Sequence, residues 1–67
     1  MSVVEKAKEI KKNLEAGEVT VAEIVAWADE EIVQSDQPLD EIIELSMVEN
    51  ANDAITWLSN LLNNHGS

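Results

Sequence analysis

The helical spacing of its apolar residues most constrains what this chain can fold into. Val, Ile, Leu and Ala recur every three or four residues in four successive segments, which is typical of amphipathic helices. Ser2 and Thr20 each precede a Glu by three residues, a capping-box pattern that marks a helix start. No stretch of four or more residues alternates convincingly as a strand. The sequence therefore predicts an all-α fold.

Capping residues and helix breakers set the predicted boundaries. Gly17 is expected to end the first helix in a left-handed conformation, and Pro38 suits the first position of the third. Asn50 or Asn52 would cap the last helix. Residues 1–67 are then a single compact domain, a bundle or an orthogonal array of about four short helices, with consecutive helices as neighbours. The predicted helices span 3–16, 20–34, 38–47 and 52–63, and residues 64–67 form a tail.

Three of the helices have well-defined inward faces when they are wound at about 100° per residue. These faces consist of Val3, Ala7, Ile10 and Leu14 in the first, Val21, Ile24, Val25, Ala28 and Ile32 in the second, and Ala54, Ile55, Leu58, Leu61 and Leu62 in the last.

The third helix has a broader apolar surface, which covers about 200° of the helix. This width indicates either a central helix or one that borders a second interface. Its predicted face comprises Leu39, Ile42, Ile43 and Ser46, with Leu45 and Met47 on the flanks.

Charge is divided unevenly along the chain, whose formal net charge is −10. All four lysines lie in residues 1–12, which carry a net charge of +2, whereas residues 13–67 carry twelve acidic residues and no basic one. Binding to nucleic acids or to anionic membranes requires a basic surface, so we expect neither. A merely solubilising surface would usually mix both signs. The pattern therefore leaves two alternatives open, a generic acidic surface and a surface suited to a basic protein partner.

Composition limits the covalent or metal cross-links the chain can form and the cell compartment in which we expect it. The absence of Cys excludes a disulfide framework and a thiolate zinc site. No run of about 18 apolar residues predicts a membrane-spanning helix, and the chain does not open with a signal-peptide pattern. We therefore expect a small soluble domain in the cytoplasm.

Signatures of catalysis, cofactor binding or metal binding are nearly absent. The one histidine, His65, falls in the predicted tail, so the serines have no positioned base to activate them. Asp40 and Glu44 lie on one side of the third helix, but catalytic carboxylate pairs need a cleft that separates their pKa values. The spacing of a calcium loop is missing. We predict a protein that is not an enzyme, with no catalytic, cofactor or metal-binding residues.

Trp27 is the most informative aromatic residue because it lies at the edge of an apolar face, beside Glu23 and Glu31. It can serve as half-buried core or as a binding anchor, since Trp is enriched among interface hot spots. On the second reading, the predicted partner-binding residues are Glu23, Trp27, Glu30, Glu31, Asp40, Glu44 and Met47.

Residues 20–62 resemble small acidic helical proteins of bacteria that act as immunity proteins or antitoxins. The resemblance rests on Trp27-Ala28-Asp29, Ile32, Pro38, Ile42-Ile43 and Glu44-Leu45-Ser46. The paired tyrosines typical of the binding helix in nuclease-immunity proteins have no counterpart, because the chain contains no Tyr. The resemblance implies an inhibitory binding module that neutralises a basic partner. The alternative is a self-associating homodimer, a structural or adaptor module whose acidic surface only keeps it in solution.

Overall fold

The computed structural model describes residues 2–66, and in this range the chain forms four helices and no strand. The radius of gyration over Cα atoms is 10.6 Å, close to the value of about 11 Å expected for one compact domain of this length. The predicted all-α class is confirmed. The helices are α1 (Val3–Glu15), α2 (Val21–Gln34), α3 (Asp40–Leu45) and α4 (Ala51–His65).

Both predicted capping boxes begin a helix, and within residues 2–66 the hydroxyl half of each box forms without a return bond from the Glu side chain. The backbone amide of Glu5 donates a hydrogen bond to Ser2 Oγ at 3.2 Å, and that of Glu23 donates to Thr20 Oγ1 at 3.2 Å. Each hydroxyl satisfies a backbone donor that has no partner within its own helix. The starts of α1 and α2 are therefore determined locally.

The structure selects Asn50, rather than Asn52, as the cap of α4. Asn50 Oδ1 accepts from the amide of Asp53 at 2.9 Å, and Asn50 Nδ2 donates to Asp53 Oδ2 at 3.2 Å. The Asn50 side chain thus caps the backbone amide of Asp53 and is itself held by the Asp53 carboxylate.

Gly17 ends α1 with a φ of +75°, as predicted. Its amide donates to the carbonyl of Leu14 at 3.0 Å, and the amide of Glu18 donates to that of Asn13 at 2.8 Å. This pair of bonds is the Schellman arrangement, which satisfies carbonyls at the end of a helix.

α3 is shorter than the predicted span of 38–47. Leu39 has an extended backbone (φ −63°, ψ 144°) and is the N-cap residue, so Pro38 lies before the helix instead of at its first position. At the other end, Ser46 Oγ donates to the carbonyl of Ile43 at 2.6 Å. The amide of Met47 bonds three residues back, to Glu44, at 3.0 Å. Such i→i+3 bonds tighten the chain and end the α-helix.

α4 is longer than predicted and continues through Asn64 to His65. The predicted tail at 64–67 is therefore wrong for these two residues, and Ser67 lies outside the described residues. The helix persists because its last turn is bonded to α3, as described below.

The core contains nine buried apolar residues, and every helix contributes to it. In α1, α2 and α4 they belong to the predicted inward faces, whose other members are half-buried. They are Ala7, Ile10, Ile24, Ala28, Ile42, Leu45, Ala54, Leu58 and Leu61.

The inward face of α3 differs from the predicted one. Ile42 and Leu45 are 2% and 0% exposed, whereas Ile43 and Met47 are 37% and 61% exposed. α3 is thus rotated toward the Leu45 side of its broad apolar arc. This rotation also buries Glu41, because residues four apart lie on the same side of a helix.

α4 is the central element, since it contacts α1, α3 and α2, while α3 packs against both α2 and α4. α1 packs chiefly against α4 rather than against α2, the helix that follows it in the chain. The prediction that consecutive helices are close neighbours therefore holds for α2, α3 and α4. The backbones of α1 and α2 approach each other less closely, and a groove lies between them.

Candidate partner-binding surface

Three cavities adjoin along one side of the fold, two of them in the seam between α1 and α2 and one where Val3 faces the connection from α2 to α3. Their volumes are about 180, 360 and 220 Å³. Lys6 and Trp27 line both of the first two cavities, and Glu31 lines both of the last two. The three cavities thus form one continuous depression, here called the α1–α2 groove. It extends from Asn13 and Val19 at one end to Pro38 and Leu39 at the other.

The groove exists because of how the two helices are held. Asn13 near the end of α1 lines the cavity of about 180 Å³ together with Val19. Ser2 at the start of α1 lines the cavity of about 360 Å³ together with Gln34, so α1 and α2 face the seam in opposite directions. α1 is held mainly by α4. The seam is therefore closed at its base by Ile10 and Ile24, both of which are buried, while its outer part stays open.

Trp27 lies at the middle of the α1–α2 groove. It is half-buried and packs against the core, and part of it faces two of the cavities. The sequence left core and anchor as alternatives for this residue, and the structure places it where it can serve as both. Trp57 is also half-buried against the core, but it lines none of the three cavities.

Four carboxylates line the groove, and only one lysine, Lys6, does. Within residues 2–66 Lys11 and Glu15 form an ion pair at 3.3 Å, and His65 Nε2 lies 3.0 Å from Glu41, so none of the four groove carboxylates has a cationic partner within 4.0 Å. Like charges that are not compensated locally add up to a negative potential over the seam. The four carboxylates are those of Glu9, Glu23, Glu30 and Glu31.

The predicted binding residues fall into two sets. Four of the seven, Glu23, Trp27, Glu30 and Glu31, line the α1–α2 groove. The other three belong to α3 and the turn after it, and none of them lines the groove. Of these three, Asp40 is exposed, Glu44 is half-buried and Met47 is exposed.

Lys6 and Glu9, both on α1, line the groove but are not among the residues predicted from the sequence to bind a partner. The acidic charge after position 12 placed the predicted binding residues in that part of the chain, whereas one side of the groove is formed by the lysine-rich first helix. Helical winding could have placed Lys6 and Glu9 on one side of α1. It could not have shown that this side faces Trp27.

A second polar cluster joins α3 to the end of α4. Glu41 is only 7% exposed. Asn64 Nδ2 donates to its Oε2 at 2.7 Å, and His65 Nε2 lies 3.0 Å from its Oε1. A buried carboxylate is tolerated when its oxygens are hydrogen-bonded, and here both have a partner.

Hydrogen bonding decides the ionisation of Glu41. The bond from Asn64 is the largest influence and lowers the pKa of the Glu41 carboxyl below its ordinary value. Burial opposes this effect, while a backbone hydrogen bond and the neighbouring His65 reinforce it. Both oxygens are used within the fold, so we assign the cluster a structural role. The sequence could have indicated the burial of Glu41, because Glu41 precedes Leu45 by four residues and residues at this spacing lie on the same side of a helix.

Two further properties concern the described residues as a group. Between Ser2 and Gly66 no set of three or more His, Asp or Glu side chains is placed to hold a metal ion. No helix in that range combines the length and the apolar character needed to cross a bilayer.

Comparison with known proteins provides no relative from which a role can be transferred. The chain matches no protein-family model, and neither a curated protein nor a solved structure is significantly similar to it.

Proposed function

We propose that this protein is an acidic helical binding module, not an enzyme, that binds and neutralises a basic protein partner. Its function would be that of an inhibitor, an immunity protein or an antitoxin. The proposal includes a cytoplasmic setting and a bacterial origin, in line with the resemblance noted in the sequence.

The observation that carries the proposal is the absence of internal compensation for the acidic charge. Residues 13–67 contain twelve carboxylates and no basic residue. In the described part of the chain, Glu15 is the only one of these that pairs with a lysine, and Glu41 contacts His65, which is cationic only when protonated. A surface of one sign weakens the compact state by self-repulsion. A basic partner would turn that repulsion into attraction and accelerate association.

The proposed contact surface combines charge with apolar anchors. Trp27 is half-buried among carboxylates at the groove, and Met47 is 61% exposed near Asp40 and Glu44 in the sequence. Protein interfaces commonly use an apolar anchor within a polar rim. The anchors would determine how long the complex lasts, and the carboxylates how quickly it forms.

One observation favours self-association instead. Val33 is 84% exposed, and Ile43 and Met47 are also accessible. Exposed apolar side chains of this kind can meet across a homodimer interface. Sedimentation velocity at low and high salt separates the two functions. We expect a monomer under both conditions, whereas a stable dimer in both would favour the structural module.

The direct test is the association kinetics of a purified basic partner, once one has been isolated by affinity capture. Glu30→Lys combined with Glu44→Lys should slow association by roughly tenfold or more and flatten its salt dependence. Asp29→Lys combined with Glu49→Lys is the matched control, because it changes the net charge equally at two exposed acidic residues that belong neither to the groove nor to the predicted partner-binding set. Equal slowing by both pairs would reject the assigned surface, and no slowing by either would reject the electrostatic mechanism.

A further inference from the structure

We propose that the α1–α2 groove binds an extended basic segment of the partner, with one Lys or Arg side chain of that segment stacked on Trp27. This inference rests on the proposed function, since it names the part of the surface and the partner chemistry. The inference is more specific than binding to a general acidic surface, because it requires the partner segment to lie in one defined groove.

The length of the groove fits an extended segment of about six residues. Its lining on the α2 side runs from Val19 to Ser35, which covers the whole helix. A helix of 14 residues is about 21 Å long, since each residue rises about 1.5 Å. An extended chain advances about 3.3 Å per residue, so about six residues span the same distance.

The lining fits a segment that alternates basic and apolar side chains. Ile10, Ile24 and Trp27 provide an apolar floor in the first cavity, and Glu9 and Glu23 lie at the same cavity. Neighbouring side chains of an extended segment point in opposite directions, so apolar ones can face the floor while basic ones reach the acidic rims. The face of a Trp indole also attracts a cation directly.

Lys6 gives the proposal a test of opposite sign. Among residues 2–66 it is the one lysine that lines the groove, and it borders both cavities that contain Trp27. A basic side chain from the partner would enter a region that Lys6 already borders, and the two cations would repel each other. Removal of the Lys6 charge should therefore strengthen binding, an effect opposite in sign to the removal of a groove carboxylate.

The packing of α1 makes the seam accessible. α1 contacts α4 far more extensively than α2. A small widening of the seam to admit a peptide would leave the α1–α4 contacts in place.

The probe is a blocked six-residue peptide that alternates arginine and leucine, titrated in low salt. The Trp57→Phe variant leaves Trp27 as the single indole and reports binding by its fluorescence, and circular dichroism checks that this variant is folded. We expect a saturable change in Trp27 emission that weakens as salt is added. A peptide of the same length that alternates arginine and glycine should bind more weakly, because it lacks the apolar side chains.

Matched variants locate the binding site. Glu23→Gln with Glu31→Gln should weaken peptide binding about tenfold, whereas the equally neutralising pair Asp29→Asn with Glu49→Gln should change it about twofold at most. Lys6→Gln should tighten binding, and Lys12→Gln, an exposed lysine that does not line the groove, is its control. Isothermal titration of the same variants with Trp57 intact gives an independent readout.

Three results would overturn the groove assignment: equal weakening by both carboxylate pairs, no tightening with Lys6→Gln, or binding that leaves Trp27 emission unchanged. Each of these would leave the proposed function standing, because the peptide would still bind to the acidic protein at another place. Absence of any salt-dependent binding by the unmodified protein would count against the groove and the proposed function together.

Discussion

Replacement of Glu41 by Gln should destabilise the protein, although it preserves the shape of the side chain. In the native structure Asn64 and His65 bond to different oxygens of the same carboxylate. Glutamine keeps one oxygen and replaces the other by an amide that donates. Asn64 can keep an oxygen as its acceptor, whereas His65 Nε2 loses the acceptor oxygen and can bond to the new amide only after a change of tautomer. The buried site also loses its charge.

The magnitude follows from what such a bond contributes. A hydrogen bond to a charged group contributes about 1.5–3 kcal/mol, and an unsatisfied buried partner adds a cost of its own. The side chains of Glu41 and His65 are 10% and 35% exposed, so water can partly replace the lost contact. We therefore expect a loss of about 1.5–2 kcal/mol, toward the lower end of that range. A domain of this length has a total stability of roughly 3–10 kcal/mol.

Thermal and urea unfolding followed by circular dichroism measure this loss. At neutral pH, Tm should fall by roughly 6–16 °C, because 1 kcal/mol shifts Tm by about 4–8 °C in a small domain. Glu44→Gln is the matched control, since Glu44 lies on the same helix, is half-buried and has no hydrogen bond to another described side chain. It should change stability by less than about 0.5 kcal/mol.

The pH dependence gives a second, independent test. The pKa of Glu41 is lower in the folded state than its ordinary value of 4.5. The unfolded state therefore binds more protons, and the stabilisation by Glu41 is fully present above 4.5 and is lost as the pH falls through the folded pKa. The difference between wild type and Glu41→Gln should shrink between neutral pH and about pH 3, while the other carboxylates titrate alike in both proteins.

Either of two results would refute this account of Glu41. A glutamine variant as stable as wild type at neutral pH would show that the two bonds contribute nothing net. A stability difference that stays constant down to about pH 3 would show that the carboxylate charge is not its cause. Asn64→Ala adds a check, because it should cost less in the Glu41→Gln background than in wild type.

Three further predictions test the fold. Ile42→Val should cost about 0.5–1.5 kcal/mol in urea unfolding and Ile43→Val less than about 0.5, because only Ile42 is buried; equal costs would contradict the rotation of α3. Thr20→Ala should cost about 1 kcal/mol through loss of the bond to the Glu23 amide, and an unchanged urea midpoint would show that this cap is dispensable. Gly17→Ala should lower stability by about 1 kcal/mol, measured as a lower Tm. Its added Cβ meets no atom within 4 Å, so the positive φ alone causes the strain, and a stabilised variant would contradict this.

Local chemistry let the sequence determine much of this protein. Ser2, Thr20 and Gly17 act on backbone groups within a few residues of themselves, so their roles could be read without knowledge of the fold. Helical periodicity likewise identified the faces of α1, α2 and α4 that contribute to the core. The uneven charge is a property of the sequence alone.

The candidate site depended on contacts between distant parts of the chain. The sequence could nominate Trp27 and its neighbouring carboxylates from their spacing on one helix. It could not identify Lys6 and Glu9 as groove residues, because their position depends on tertiary packing. α1 packs mainly against α4, and the seam between α1 and α2 therefore stays open. The predicted set also included Asp40, Glu44 and Met47, which the structure places outside the groove.

Tertiary structure alone decided the orientation of α3 and the extent of α4. An apolar arc of about 200° offers several rotations of similar hydrophobic burial, so periodicity could not choose between Ile43 and Leu45. Packing against both α2 and α4 made the choice and carried Glu41 into the interior. A buried carboxylate needs donors. Asn64 and His65, more than 20 residues further along the chain, bond to the Glu41 carboxylate. These bonds hold the segment that the sequence predicted as a tail in the last turn of α4.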